Sequence, residues 1–483
     1  MERSKAMKLN FDPALFIGGE WIATPDRIAV RDKYTGEVFG HAGRASRDLV
    51  ERAVAVAERT FKTRSLHPYE RYEILSAAAR LLRERKDEVL RTMVAESGFT
   101  ANDCLNDFNR CIQTLTVSAE EAKRITGELV PIQGAPGQDE RRLAFTLRMP
   151  VGVVCAITPF NSPLNTVAHK VAPALAAGNT VVLKPASYTP FSAILLCRIM
   201  MDAGLPAGFL NLVFGSGSDV GQWLLEDQRI LYYTFTGSTE VGRVIQQYAG
   251  LRRTQLELGN ISATIVCADA SLEAAADKCV GASFRKAGQV CTSVQRILVD
   301  AKVIERFADL LAQRTAKLKV GDPREADTFV GPMIDEKEAE RAESWVSAAA
   351  GAGAKIMLGG KRNGALFAPT ILRNVRPDMK VVCEEIFAPV ISLIPFEDYD
   401  RAIEIANATP FGLSVGVFTN DVTRALGTIR RLQMGTIHIN DTSSSRVDLM
   451  PYGGVKDSGF GKEGPRYAIH DMTEERLVTL NVI

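Results

Sequence analysis

Residues 151–215, VGVVCAITPFNSPLNTVAHKVAPALAAGNTVVLKPASYTPFSAILLCRIMMDAGLPAGFLNLVFG, alternate between two textures. Three short β-rich runs, VGVVCAI, NTVVLK and LNLVFG, are separated by the helical NTVAHKVAPALAAG and TPFSAILLCRIMMDAG. Strand followed by helix followed by strand predicts right-handed βαβ units, and hence a parallel sheet with helices on both faces.

Upstream, residues 46–125 read as helices. SRDLVERAVAVAERTFK and YEILSAAARLLRERKDEVLRTMVAESG place apolar side chains at three- and four-residue intervals, with Ser46 as a cap and Ser97-Gly98 as a stop. A second α/β series begins near Gly259 with SATIVCAD, SLEAAADKCVGASFRKAG, RILVD and KVIERFADLLAQRTAKL, and ends in GLSVGVFTN and GTIHIND. Before the first sheet, TGELVPIQGAPGQDERRLAFTLRMPVG is turn-rich, then alternating. It reads as a β arm, with EERLVTLNVI of another subunit as its expected pairing partner.

At 483 residues the chain exceeds the size of a single hydrophobic core, so two or more domains are expected. A formal net charge of +1 offers no overall attraction to nucleic acid or to an anionic membrane, and neither is expected as a partner. The eight cysteines contain no CxxC pair and no regular ladder, which argues against a metal site and against a disulfide framework. MERSKAMKLNFDPALFIGGEW has no apolar run long enough for a signal sequence, and no later run approaches ~18 apolar residues. A reducing cytoplasm is the expected location.

Cys291, in FRKAGQVCTSVQR, has the polar setting of a nucleophile, where backbone amides and the cations of Arg285 and Lys286 would lower its pKa. A buried structural cysteine is the alternative. Glu257, in TQLELGNISA, precedes a Gly-Asn turn and suits a buried general base, or else a salt-bridged glutamate. Asn161, in AITPFNSPLN, can donate to an oxyanion together with the Cys291 N–H, or can cap the next helix, a role that Asn165 fits equally. FTGSTEVGR carries Gly237, Ser238 and Gly242 at a strand-to-helix junction, either an anion-binding helix start or a plain turn, and without the GxGxxG fingerprint. Lys184 ends a strand at the sheet edge where nucleotides bind in open α/β folds, though many strand-end lysines are simply solvated.

Taken in chain order, TPFNSP, GNTVVLKPA, FTGSTEVG, LELGN, GQVC, EEIFAPV, FGLSVGVF and PYGGVKDSGFGKEG resemble the aldehyde dehydrogenase superfamily over nearly the whole chain. The resemblance implies an α/β fold of two Rossmann-type domains plus a β oligomerisation arm. Residues 1–125 and 147–257 would bind the dinucleotide, 258–440 would carry the cysteine, 126–146 and 467–483 would form the arm, and 441–466 would enter the substrate channel. A homodimer or homotetramer is expected.

The same resemblance implies that Cys291 forms a thiohemiacetal and then a thioester, that Asn161 and the Cys291 amide hold the oxyanion, and that Glu257 activates water. It places Lys184, Ser187, Gly237, Ser238, Gly242, Glu385, Phe387, Thr158 and Pro159 at the cofactor, which is NAD, with NADP left open because Ser187 stands where a glutamate is common. Lys286 and Ala388 replace an asparagine and a glycine usual in the family. For the substrate it implies a small anionic aldehyde, with Arg110, Arg446, Ser162, Arg285 and Thr292 around it. Phosphonoacetaldehyde, oxidised to phosphonoacetate, is the expected substrate; glyceraldehyde-3-phosphate and lactaldehyde are the alternatives. Either arginine could instead pair with a carboxylate, such as Asp107 for Arg110. A non-catalytic protein on the same fold is the remote alternative.

Overall fold

The runs around Val151 and their continuation form the parallel centre of an eight-stranded sheet, in the order Leu210–Leu212, Thr180–Lys184, Val153–Ile157, Ile230–Thr236, Arg253–Glu257, with antiparallel strands at both edges. The protein is seen here as a computed structural model describing residues 14–261 and 263–481. The first thirteen residues of the stretch read as lacking a signal sequence, Ser262 of SATIVCAD, and the last two residues of the expected arm lie outside the described residues. Numbered along the chain, the strand order is third, second, first, fourth, fifth. Connections therefore diverge between Val153–Ile157 and Ile230–Thr236, and this divergence opens a crevice at the carboxyl ends of those strands. Val154, Val181 and Val182 are fully buried, as expected where helices cover both faces.

The second sheet runs Lys355–Leu358, Thr370–Arg373, Val390–Phe396, Arg296–Asp300, Ala263–Val266, Ser414–Phe418, Thr436–Ile439, parallel except for its first edge strand. Its amino-terminal edge faces the carboxyl edge of the first. The segments entering Arg296–Asp300 and Val390–Phe396 thus meet the end of Arg253–Glu257. Among the described residues, no helix is long and apolar enough to cross a membrane.

Helix ends follow local chemistry. Ser46 accepts a hydrogen bond from the Leu49 N–H and caps Arg47–Thr63. The long periodic run that follows is two helices, Pro68–Glu84 and Lys86–Ser97, broken at Arg85 and closed by Gly98 at φ 73°. SLEAAADKCVGASFRKAG is helical only over Leu272–Phe284, because Lys286, Ala287 and Gly288 are left-handed at φ 52°, 51° and 71°.

The β arm differs from expectation. Arg142–Pro150 pairs antiparallel with Thr473–Asn481 of the same chain, from Pro150 opposite Thr473 to Arg142 opposite Asn481. Val151 N–H donates to the Met472 carbonyl, so the two strands begin side by side and pair without needing a second subunit. The first strand also crosses the boundary expected at 146, and residues 467–471 belong to the helix Pro465–Asp471.

Candidate active site

A cleft of about 850 Å³ opens between the facing edges of the two sheets. Every site residue expected from the sequence lines it except Gly242. Gly242 lies on the helix Thr239–Ala249, where a Cβ would come within 2.4 Å of the Leu258 side chain. Its role is to let that helix pack against Leu258, which itself lines the cleft.

Cys291 and Glu257 meet directly, and Tyr452, a residue not expected from the sequence, touches both. Tyr452 Oη lies 2.9 Å from Cys291 Sγ and donates to Glu257 Oε1 at 3.4 Å. Glu257 is 2% exposed at the end of its strand, and burial, reinforced by Glu463, pushes its pKa up to about 7. The expected lowering of the Cys291 pKa does not occur. Burial and the Glu257 charge push the thiol well above its ordinary value, against a hydrogen bond with Tyr452. The cations upstream are engaged elsewhere: Arg285 donates to Ser444 Oγ at 2.6 Å, and Lys286 Nζ to the Asn161 carbonyl at 2.8 Å. In its resting geometry the site holds a thiol beside a base.

Asn161 Nδ2 donates to the Gln289 carbonyl at 2.9 Å, so its amide faces the Cys291 loop. It caps no helix, and neither does Asn165, whose amide donates to Asp448. Asp107, from the helix Ala101–Ala122, takes that role by accepting from the N–H groups of Leu164 and Asn165. Asp107 also accepts the Ser162 hydroxyl proton, so Ser162 has no hydroxyl hydrogen left for a substrate anion.

The arginines divide sharply. Arg110 makes a bidentate pair with Asp448, through Nε at 3.1 Å and Nη2 at 2.7 Å, and does not pair with Asp107. Burial opposes ionisation of Asp448, but hydrogen bonds from His169 and Arg110 outweigh it and hold the carboxyl well below the usual range. Arg446 donates to Glu463 Oε2 at 2.8 Å and stacks 3.7 Å from the Tyr452 ring centroid. Arg110 and Arg446 both line the cleft, as expected for substrate-channel residues, but each is paired with a carboxylate, the alternative left open from the sequence, with Asp448 and Glu463 as the partners in place of Asp107. Arg285 is different: among the described residues no carboxylate lies within 4.0 Å of it, and burial pulls its pKa down. Thr292 Oγ1 and Ser444 Oγ, 3.2 Å apart, complete that wall.

At the other end of the cleft, Lys184 is 6% exposed and burial lowers its pKa to about 8. Ser187 donates to the Gly215 carbonyl at 3.1 Å, and Ser238 caps Thr239–Ala249. Glu385 accepts from the Asn260 N–H at 3.0 Å, with its pKa pushed up to about 7 by burial. Phe387, at φ 49°, meets Phe160 edge to face. Thr158 Oγ1 is buried with no hydrogen-bond partner among the described residues. A buried orphan hydroxyl beside a buried ammonium, at the carboxyl edge of a doubly wound sheet, fits the polar ribose and phosphate groups of a dinucleotide.

The sequence pattern of the Aldehyde dehydrogenase family matches residues 21–478. The chain belongs to that family. It is 50% identical over 468 residues to a 3-sulfolactaldehyde dehydrogenase of Priestia aryabhattai, covering 97% of this chain and 98% of the relative. It is 38% identical over 473 residues to a lactaldehyde dehydrogenase of Methanocaldococcus jannaschii, covering 97% and 100%. The crystal structure of glyceraldehyde-3-phosphate dehydrogenase GapN from Methanocaldococcus jannaschii, complexed with NADP, superposes with a TM-score of 0.91 at 37% identity, covering 95% of this chain and 100% of that one. This aldehyde dehydrogenase is thus an oxidoreductase acting on small aldehydes with a nicotinamide cofactor, on the two-sheet α/β fold expected from its sequence.

Proposed function

We propose that this aldehyde dehydrogenase oxidises a small anionic aldehyde to its carboxylic acid, and that the aldehyde is 3-sulfolactaldehyde. The observation that carries the anion is Arg285, a largely buried guanidinium without a carboxylate partner among the described residues, in the same cleft as Cys291. Asp103 offsets part of the cost of burying this cation, but no carboxylate among the described residues touches it, and a bound sulfonate would supply a direct partner that accepts the guanidinium fork. Ser444 and Thr292 offer hydroxyls to the substrate's own hydroxyl. The relative at 50% identity supports sulfonate over the phosphonate of phosphonoacetaldehyde, which shares the anionic chemistry.

Cys291 Sγ bonds to the aldehyde carbon while Asn161 and the Cys291 N–H hold the oxygen that becomes negative. Bound in the cleft, the cofactor supplies the hydride acceptor. Loss of hydride from the thiohemiacetal carbon leaves a thioester on Cys291, and water deprotonated by Glu257 hydrolyses it. Lys184 and Ser187 would face the adenosine ribose, Gly237 and Ser238 the pyrophosphate, and Glu385 the nicotinamide ribose, with Thr158, Pro159 and Phe387 as walls. Ser187 presents no carboxylate to repel a 2′-phosphate, which supports use of NADP as well as NAD. Exposed Leu143, Leu147 and Leu480 share one face of the three-stranded sheet and support subunit association there.

The test is kcat/KM for 3-sulfolactaldehyde, phosphonoacetaldehyde, glyceraldehyde-3-phosphate and lactaldehyde, with NAD and with NADP, in the wild type and in Arg285→Met. The highest value is expected for 3-sulfolactaldehyde, and Arg285→Met should lower the anionic substrates by about tenfold or more while sparing lactaldehyde. A wild-type preference for lactaldehyde, or an equal loss on all four, would overturn the reading.

A further inference from the structure

The reaction leaves a proton to be placed. Burial holds Cys291 as a thiol, so attack on an aldehyde requires the proton to leave Sγ, and Glu257 is the nearby base. The two side chains touch directly, and Tyr452 offers a second connection between them. Its hydroxyl is 2.9 Å from Sγ and 3.4 Å from Glu257 Oε1, and its side chain is buried. Its backbone is fixed by a reciprocal pair of hydrogen bonds with Glu463, at 3.0 and 2.7 Å. The groups facing the phenol are Cys291, Glu257 and Arg446, with Arg285 close by. Burial and the neighbouring Cys291 and Glu257 push the phenol pKa well up, so the hydroxyl stays protonated at rest, and the Arg446 guanidinium over the ring, itself held by Glu463, offsets part of that.

We propose that Tyr452 is a catalytic residue that carries the thiol proton of Cys291 to the carboxylate of Glu257. The Sγ–H bond breaks as a new Oη–H bond forms, while the original Oη–H bond breaks as a bond to Glu257 Oε1 forms. One proton moves from sulfur to carboxylate, the phenol ends neutral, and no oxidant or reductant takes part. Glu257 then sheds that proton before it serves as base for hydrolysis, which a pKa of about 7 permits at neutral pH. A phenylalanine here would fill the same space and remove the hydroxyl route, leaving only the direct contact between thiol and carboxylate. The proposal rests on the reading of Cys291 as the nucleophile.

The experiment is the rate of iodoacetamide alkylation at the peptide holding Cys291, measured against pH without aldehyde or cofactor. Wild type, Tyr452→Phe, Glu257→Gln and the double variant are compared. The relay predicts that Tyr452→Phe alkylates about tenfold more slowly at neutral pH, with its inflection moved upward, and that the double variant is no slower than Glu257→Gln alone. 3-Fluorotyrosine at position 452, which preserves the packing and acidifies the phenol, should move the inflection downward. A Tyr452→Phe profile that superposes on the wild type, losses that multiply in the double variant, or an inflection indifferent to fluorination would each overturn the relay. Cys291→Ala separates the two ideas: retained aldehyde oxidation in that variant overturns the nucleophile reading itself, whereas loss of oxidation with an unmoved Tyr452→Phe profile overturns the relay alone.

Discussion

Lys286 Nζ donates to the Asn161 carbonyl at 2.8 Å and lies 3.4 Å from Asp107 Oδ1, tying the loop before Cys291 to the loop that carries Asn161. The lysine belongs to the second sheet's side of the cleft and Asn161 to the first. The substitution of this lysine for the family's asparagine therefore has a structural consequence: an ammonium bridges the two walls.

Lys286→Met should break a buried ion pair and leave Asp107 without its cation. Such losses cost about 3 kcal/mol. Urea unfolding should show a lowered midpoint, and kcat should fall by about tenfold as the Asn161 amide loses its anchor. Unchanged kcat would show that Asn161 is held by other contacts.

Gly288→Ala should be more damaging. Gly288 sits at φ 71°, and a Cβ there would lie 2.2 Å from the Ala388 carbonyl oxygen. Left-handed strain and the backbone clash together are expected to cost about 3 kcal/mol. The Cys291 loop must shift to relieve them, so both melting temperature and Cys291 alkylation should change.

Stability should depend on pH through Glu257. Its folded pKa, about 7, lies above the ordinary 4.5, so the folded protein holds an extra proton between those values. Stability therefore falls as pH rises through this window, by roughly 3 kcal/mol in all, and levels off above it. Glu96 and Glu385, also pushed up to about 7 by burial, act in the same direction. The wild-type slope minus that of Glu257→Gln isolates the contribution of Glu257, and identical slopes would show that its carboxyl is not buried in solution.

Ser187→Glu should place a carboxylate where Ser187 now faces the cleft. The ratio of kcat/KM with NADP to that with NAD should drop by roughly tenfold or more, because a carboxylate repels the 2′-phosphate and accepts ribose hydroxyls. An unchanged ratio would place the adenosine ribose elsewhere.

Periodicity and short motifs made much of the architecture legible. The βαβ alternation after Val151 yields the parallel sheet, and the sheet's crevice lies where strand-end Lys184 pointed. What was lost depended on long-range geometry. The same-chain pairing of Arg142–Pro150 with Thr473–Asn481 joins residues more than 300 positions apart, and alternation alone cannot say whose strand is the partner. The left-handed turn at Lys286–Gly288 ends a helix that composition would continue, because Lys and Ala carry no signal for positive φ. Carboxylate pairing of Arg110 and Arg446 was foreseeable, but the partners were not, because Asp448 and Glu463 are brought to them only by folding. Tyr452 sits in PYGGVKDSG among residues read as a family signature, and its position between Cys291 and Glu257 has no local sequence correlate. Arg285, by contrast, was visible as a cation next to the cysteine; its lack of a carboxylate partner was not.

The most direct test of Cys291 as a nucleophile and Glu257 as its hydrolytic base is intact-protein mass spectrometry of Glu257→Gln, quenched shortly after mixing with 3-sulfolactaldehyde and NADP, followed by peptide mapping. An adduct equal to the aldehyde less two hydrogens is expected on Cys291, forming more slowly in the variant, which also lacks the acceptor of the thiol proton, but accumulating there while it turns over in the wild type. Absence of that adduct in a variant that still forms reduced cofactor, or its location on another cysteine, would contradict these roles.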